Sequence, residues 1–172
     1  LLPAAILIIS IYLIKLQLLK PLGWDELEHV HSTYLISLGQ RPYVDFFQHH
    51  HALMWYLFAP IFSILQDPTS LLYFFKLVGI SFGLINLFLI YRLARHFVKS
   101  KYLQLLAVLI CVCSYFFLQN GFEYRPDNPM YSFIIISLDL ILSQKKNWAI
   151  YSGLALGVAI IILQKAIIFV PV

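Results

Sequence analysis

The sequence predicts an all-α fold: a polytopic transmembrane helical bundle with an amphipathic juxtamembrane helix in its first extracytoplasmic loop. Three observations predict it. Hydrophobic residues make up 61% of the chain and charged residues 12%, against roughly 25% charged in a typical soluble domain. Five apolar segments approach the length of about 20 residues that a helix needs to cross hydrocarbon. Between the first two lies residues 23–51, GWDELEHVHSTYLISLGQRPYVDFFQHHH. Acids and imidazoles beside a membrane span are costly unless they face water, a partner or a substrate.

Spans are expected near 1–19, 71–91, 102–118, 130–143 and 149–164, with outer loops at 20–70 and 119–129. No small-residue cleavage site follows the first span, so it reads as an anchor rather than a signal peptide. The chain begins at Leu1 inside an apolar run and stops at IIFVPV. Residues 1–172 therefore read as the N-terminal part of a longer multispan protein whose C-terminal remainder is missing.

After the first span, residues 24–38 form an amphipathic helix. Trp24, Leu27, Val30, Tyr34, Leu35 and Leu38 share one arc. Asp25, Glu26, Glu28, His29, Ser32, Thr33 and Ser37 share the other, and Ile36 and His31 fit neither. Such a helix can lie along a membrane surface. Gly39 is placed to end it and Pro42 prevents its resumption. The aromatic run at 53–65, interrupted by Pro60, is too short to span and reads as an interfacial or re-entrant helix. Gly79 with Gly83, and Gly153 with Gly157, are spaced for close helix approach within the bundle. Cys111 and Cys113 point to opposite sides of a helix, so they read as apolar fillers rather than a disulfide or metal pair.

Charge fixes the expected orientation. Arg92, Arg95, His96, Lys99 and Lys101 follow the second span, and Lys145 and Lys146 follow the fourth, with no acid among them. The opposite side carries Asp25, Glu26, Glu28, Asp45, Glu123 and Asp127. The basic loops are then cytoplasmic and the acidic loops extracytoplasmic. The formal net charge of +4 reflects that orientation, and no basic patch interleaved with aromatics points to nucleic acid.

The acidic loops hold the candidate chemistry. Acids in the first turn of the helix at 24–38 complement its dipole, a structural role that stays open beside a catalytic one. His49, His50 and His51 form a second cluster. With a carboxylate, imidazoles suit divalent ions, but three adjacent histidines rarely share one ion. No metal ligand is assigned; His29 and His51 are the candidates if a divalent ion is used. In the second loop, QNGFEYRPDNPM, Glu123, Arg125 and Asp127 stand at the rim of the fourth span. Arg125 suits bidentate grip of a phosphate; an ordinary turn with a local Arg–Asp pair is the alternative.

The order of these features carries a resemblance. An apolar span is followed by Trp24, Asp25 and Glu26, then by a helix closing on Gly39, Pro42, Tyr43, Asp45 and Phe46, a His-rich turn and an aromatic run. This resembles the polyprenol-phosphate-sugar-dependent glycosyltransferases of GT-C type, which include protein O-mannosyltransferases and lipid A aminoarabinose transferases. EYRPDNP, residues 123–129, is similar to the acidic second outer loop of bacterial members. Lys165 resembles, more weakly, a basic residue near the donor phosphate. Many relatives carry a Pro-Pro pair where this chain reads HHHAL, so the turn into the aromatic run departs from the pattern.

The resemblance implies a GT-C-like bundle and a hexosyl or pentosyl transferase acting on a polyprenyl-phosphate sugar. The acceptor is a lipid, polysaccharide or protein. Asp25 is then the general base, with Glu26 orienting the acceptor or assisting. Arg125 and Lys165 neutralise the leaving phosphate. Asp127, Glu123, Asp45, His49 and His50 contact substrate. The displacement inverts the anomeric carbon. A divalent metal ion is the one cofactor left open. The implied place is a bacterial inner (plasma) membrane with the site outside the cytoplasm, and the fragment alone is expected to be inactive. The rival readings are a transporter or flippase of lipid-linked sugars, for which Lys76, Asn86 and Asp139 are the polar interruptions of the spans, and a non-catalytic membrane scaffold.

Overall fold

A computed structural model describes residues 2–170, which are helix and loop without a sheet. The helices are α1 (Leu2–Leu19), α2 (Trp24–Ser37), α3 (Leu53–Phe58), α4 (Ile61–Ile64), α5 (Pro68–Ala94), α6 (Lys101–Val112), α7 (Tyr115–Asn120), α8 (Asp127–Ser143) and α9 (Trp148–Ile162), and a 3-10 turn covers Gln164–Phe169. Among the described residues, α1 and α5 are long and apolar enough to cross a membrane.

Local chemistry explains most boundaries. The Asp67 carboxylate accepts from Ser70 N at 2.7 Å and Pro68 follows it, so α5 starts with its first turn capped. Gly39, at φ +84°, ends α2. Its N–H reaches Ile36 O and that of Gln40 reaches Leu35 O, the two bonds of a Schellman motif. The run at 53–65 breaks at Ala59–Pro60 into α3 and α4, because proline cannot donate into a helix. The segment expected as a third span at 102–118 is two helices, broken at Cys113–Ser114, where Ser114 Oγ accepts from Phe117 N and starts α7. Both cysteines are free thiols, Cys111 half-buried and Cys113 exposed.

α1 packs on α6 and α5, α5 packs on α8, and α8 packs on α9. One apolar core joins Leu13, Ile80, Leu87, Val108, Val112 and Phe122; another joins Met130, Ile134, Ala159 and Leu163 across α8 and α9. Outward faces stay apolar, as at Ile8 and Ile11 of α1 and Phe88 of α5.

The polar interruptions of the helices all have structural partners. Lys76 is fully buried and its Nζ donates to Gln17 O at 2.7 Å and Lys20 O at 2.8 Å, closing the carbonyl end of α1. Asn86 donates to Asn128 O and accepts from Ser132 Oγ, tying α5 to the first turns of α8. Asp139 pairs with Arg92 at 2.5 Å and His96 at 3.0 Å. Each of the three joins two segments.

Gly79 and Gly83 bring a loop, not a second helix, close to α5. A Cβ at Gly79 would lie 2.5 Å from the carbonyl carbon of Glu123, and one at Gly83 would meet Phe122 and Gly121. Gly153 and Gly157 have nothing within 4 Å of a built Cβ. The first pair thus seats the loop at 121–124 on the bundle.

Candidate functional site

The arc of α2 that packs inward is the polar one. Glu26, His29, Ser32 and Thr33 are buried, whereas Trp24 is 89% exposed and Leu27, Tyr34 and Leu38 are exposed with it. Ile36, which fits neither arc by type, is buried against Trp55 and Ala59. A polar face can be buried only where its groups find partners, and here the partners come from three distant segments.

Glu26 is the junction. Its Oε1 accepts from Gln17 Nε2 at 2.7 Å and from Tyr124 N at 3.2 Å, and its Oε2 accepts from Gly23 N at 3.1 Å. The residue is fully buried. It ties α1, the start of α2 and the loop after α7 into one corner, and both oxygens are occupied. Thr33 Oγ1 lies 3.2 Å from Tyr124 Oη deeper in the same contact. Burial pushes the Tyr124 phenol above its usual range.

The second polar loop, which holds the candidate phosphate-binding Arg125, is packed into the fold rather than standing as an open rim. Residues 121–124 and 126–130 are buried, and Arg125 alone is partly open. Asn128 Nδ2 staples the turn by donating to Asn120 O and Glu123 O.

Arg125 is therefore aimed from a fixed backbone. Its Nη1 lies 2.6 Å from Asp25 Oδ2, 3.2 Å from Asn120 Oδ1 and 3.6 Å from Glu123 Oε2. Its Nε lies 3.6 Å from Asp127 Oδ2 and is buried with no hydrogen-bond partner. Lys165 reaches Asp127 Oδ1 at 3.5 Å from the turn after α9, and Lys20 pairs with Glu123 at 2.6 Å. Asp25, Glu123, Arg125, Asp127 and Lys165 thus form one network of alternating charge. Asp25 is half-exposed and Lys165 mostly exposed at its open side.

The histidines line the next segment. His29 Nδ1 accepts from Trp55 Nε1 at 3.3 Å, and burial, with His50 nearby, pushes its pKa down to about 4. It is a neutral acceptor inside the fold. The His49 and His50 rings are tilted against each other with centroids 3.9 Å apart, and His49 Nδ1 lies 3.9 Å from Glu28 Oε1. Burial also lowers the pKa of His50, with His49 and Lys165 adding to it. His51 turns away, its Nδ1 lying 2.8 Å from Ile160 O. Gln164 Nε2 donates to His49 O, so the end of α9 fixes this turn and Lys165 together.

Asp45 stands apart from the network. It accepts from Arg41 N, Nε and Nη2, which hold its carboxyl below the usual range and close the 41–46 turn. Sequence reasoning missed Gln17, Lys20 and Gln48 as members of this end of the molecule. The only signal available was that each is a polar side chain at the edge of an apolar or aromatic run.

Apolar helices carrying a charged network at one end of the bundle define a helical membrane protein with a candidate polar site. The sequence profile of the dolichyl-phosphate-mannose-protein mannosyltransferases matches residues 50–172, and the chain belongs to that family. The family is one of membrane glycosyltransferases of GT-C type. The match includes Arg125, Asp127 and Lys165 but begins after α2, so Asp25 and Glu26 lie outside it. No curated protein and no solved structure matches the chain.

Proposed function

We propose that the protein is a polytopic bacterial inner-membrane glycosyltransferase. It moves a sugar from a polyprenyl-phosphate donor to an acceptor hydroxyl at the extracytoplasmic face. The observation that carries this reading is the Asp25–Arg125 contact at 2.6 Å, beside an Arg125 Nε that lacks a partner.

In the reaction the acceptor oxygen bonds to the anomeric carbon as the bond from that carbon to the phosphate oxygen breaks. Asp25, the half-exposed acid, takes the hydroxyl proton. The electron pair leaves with the phosphate. Arg125 and Lys165 neutralise it, and a phosphate oxygen satisfies the orphaned Nε. Phosphate binding at Arg125 competes with its contact to Asp25, which frees that carboxylate for the acceptor. Asp127, held between the two cations, positions them and meets sugar hydroxyls. Glu26 acts as a positioning residue, because both its oxygens are engaged inside the fold. Displacement in one step inverts the anomeric centre. Among the polar contacts, α2 turns its apolar arc outward, which supports its lying along the membrane surface.

The test uses the full-length protein in lipid with a panel of polyprenyl-phosphate sugars. Wild type releases sugar; Asp25→Asn binds donor equally but does not turn over. Failure of every donor to bind overturns the reading.

A further inference from the structure

A second cluster lies beside the network. Glu28, His49 and His50 each offer one ligand atom, and these atoms lie within 4.8 Å of one another. We propose that Glu28, His49 and His50 form a binding site for one divalent ion of the zinc class. The inference goes beyond the transferase reading and does not depend on it.

The donor set selects the ion. Two imidazoles and one carboxylate match borderline-soft ions such as Zn²⁺ better than Mg²⁺ or Ca²⁺, which demand oxygen shells. Zn²⁺ at about 2.0–2.1 Å from nitrogen holds tetrahedral neighbours roughly 3.3 Å apart. The His49 Nδ1 to Glu28 Oε1 distance is 3.9 Å, so small side-chain rotations close the site. Three protein ligands leave a fourth position open, as in catalytic rather than structural zinc sites.

The surroundings are built for it. Gln48 is buried; its Nε2 donates to Glu28 Oε1 at 2.9 Å and to Ser32 Oγ at 3.0 Å, and its Oε1 accepts from His49 N at 2.8 Å. One side chain thus orients the carboxylate and the turn that carries both imidazoles, the role of an outer-shell partner. The backbone of the turn is pinned again by Tyr43 Oη on His50 O and Gln164 Nε2 on His49 O. The independent observation is His50 Nδ1, buried with no hydrogen-bond partner. Such orphaned groups are rare, and the ring that carries this one faces the other two ligands. Glu28, His31, Ser32, Gln48 and His49 line a groove of about 430 Å³ beside the cluster. The nearby cation Lys165 is paired with Asp127, which limits its repulsion.

Adjacent histidines thereby do what their sequence positions argue against. The sequence candidates His29 and His51 are displaced from the role: one accepts from Trp55 and the other contacts the Ile160 carbonyl.

The full chain in nanodiscs is stripped with chelator and titrated with Zn²⁺, bound metal being read by elemental analysis after desalting. Co²⁺ replaces Zn²⁺ for visible absorption. One ion per chain, with the intense cobalt bands of a four-coordinate site, is expected. His49→Ala and Glu28→Gln lose it, Gln48→Ala weakens it about 10–100-fold, and His31→Ala, altering an exposed histidine of the same helix, keeps it. The His49 side chain is 57% exposed, so its removal leaves the fold intact, checked by matching metal-free unfolding temperatures. No retained ion in wild type overturns the proposal. Equal loss in His31→Ala and His49→Ala also overturns it, since binding is then a diffuse property of a His-rich surface.

Discussion

Arg125 Nη1 lies 2.6 Å from Asp25 Oδ2, joining the first turn of α2 to the loop that leads into α8. The pair is asymmetric: Arg125 is largely enclosed and Asp25 half-exposed. The Asp25 carboxylate is thus free to move while the Arg125 guanidinium is held by Asn120 and by the buried backbone on either side.

Arg125→Lys keeps the charge and loses the planar fork. Sugar release is expected to fall at least about tenfold, roughly 1.4 kcal/mol in the barrier. Asp25→Asn and Arg125→Lys, contacting residues in one network, are expected to be non-additive by about 0.5–3 kcal/mol. A double-mutant cycle on kcat/KM checks both. Strict additivity means the two residues act separately.

Glu26→Ala removes the acceptor for Gln17 Nε2, Gly23 N and Tyr124 N at once. Each buried donor left unmade costs about 1–3 kcal/mol. A large drop in unfolding temperature is expected, with Glu26→Gln retaining part of the stability. A Glu26→Ala protein with wild-type stability and no turnover would assign this residue to chemistry instead.

Gly79→Ala drives a methyl into the Glu123 backbone. Loss of stability together with loss of donor binding is expected, because the displaced loop carries Arg125. Gly153→Ala and Gly157→Ala, whose added methyls meet nothing within 4 Å inside α9, leave the unfolding temperature unchanged or raise it by about 2–4 °C, the gain of up to about 1 kcal/mol that Ala has over Gly in a helix interior. Thermal unfolding of the three variants side by side decides it.

His29 has a folded pKa of about 4 against 6.5 in the unfolded chain. Between those values the unfolded state binds more protons, so stability falls as pH drops from 6.5 to 4. The loss is roughly 3 kcal/mol when complete, at 1.36 kcal/mol per unit. Above pH 6.5 this histidine contributes no slope. His29→Gln, which can still accept from Trp55, flattens the acid limb, read as unfolding temperature against pH. NMR of labelled histidine at pH 5.5 should find the His29 ring neutral.

Much of the local structure was legible. Gly39 ends α2 and Pro60 splits the aromatic run, because capping and proline chemistry act within a few residues; the Asp67–Pro68 start of α5 was not read, the span being expected only from residue 71. The third span was not legible as two helices: Ser114 is one hydroxyl in an apolar run, and only its bond to Phe117 N reveals the cap. For the site, Asp25, Arg125, Asp127 and Lys165 could be nominated by type and sidedness, but not their contacts. Asp45 could not be separated from them, because its commitment to Arg41 is a matter of turn geometry.

The sequence by itself determined an all-helical, lipid-compatible chain with its acids, Asp139 apart, gathered in two polar segments, since hydrophobic period, composition and caps are written residue by residue. Only the tertiary structure decided that α2 turns its polar face inward and that the Gly79 and Gly83 gap admits the second loop. It also decided that Glu28 meets His49 and His50. These outcomes rest on partners brought from distant segments, and a buried polar group is tolerated only where such a partner actually arrives.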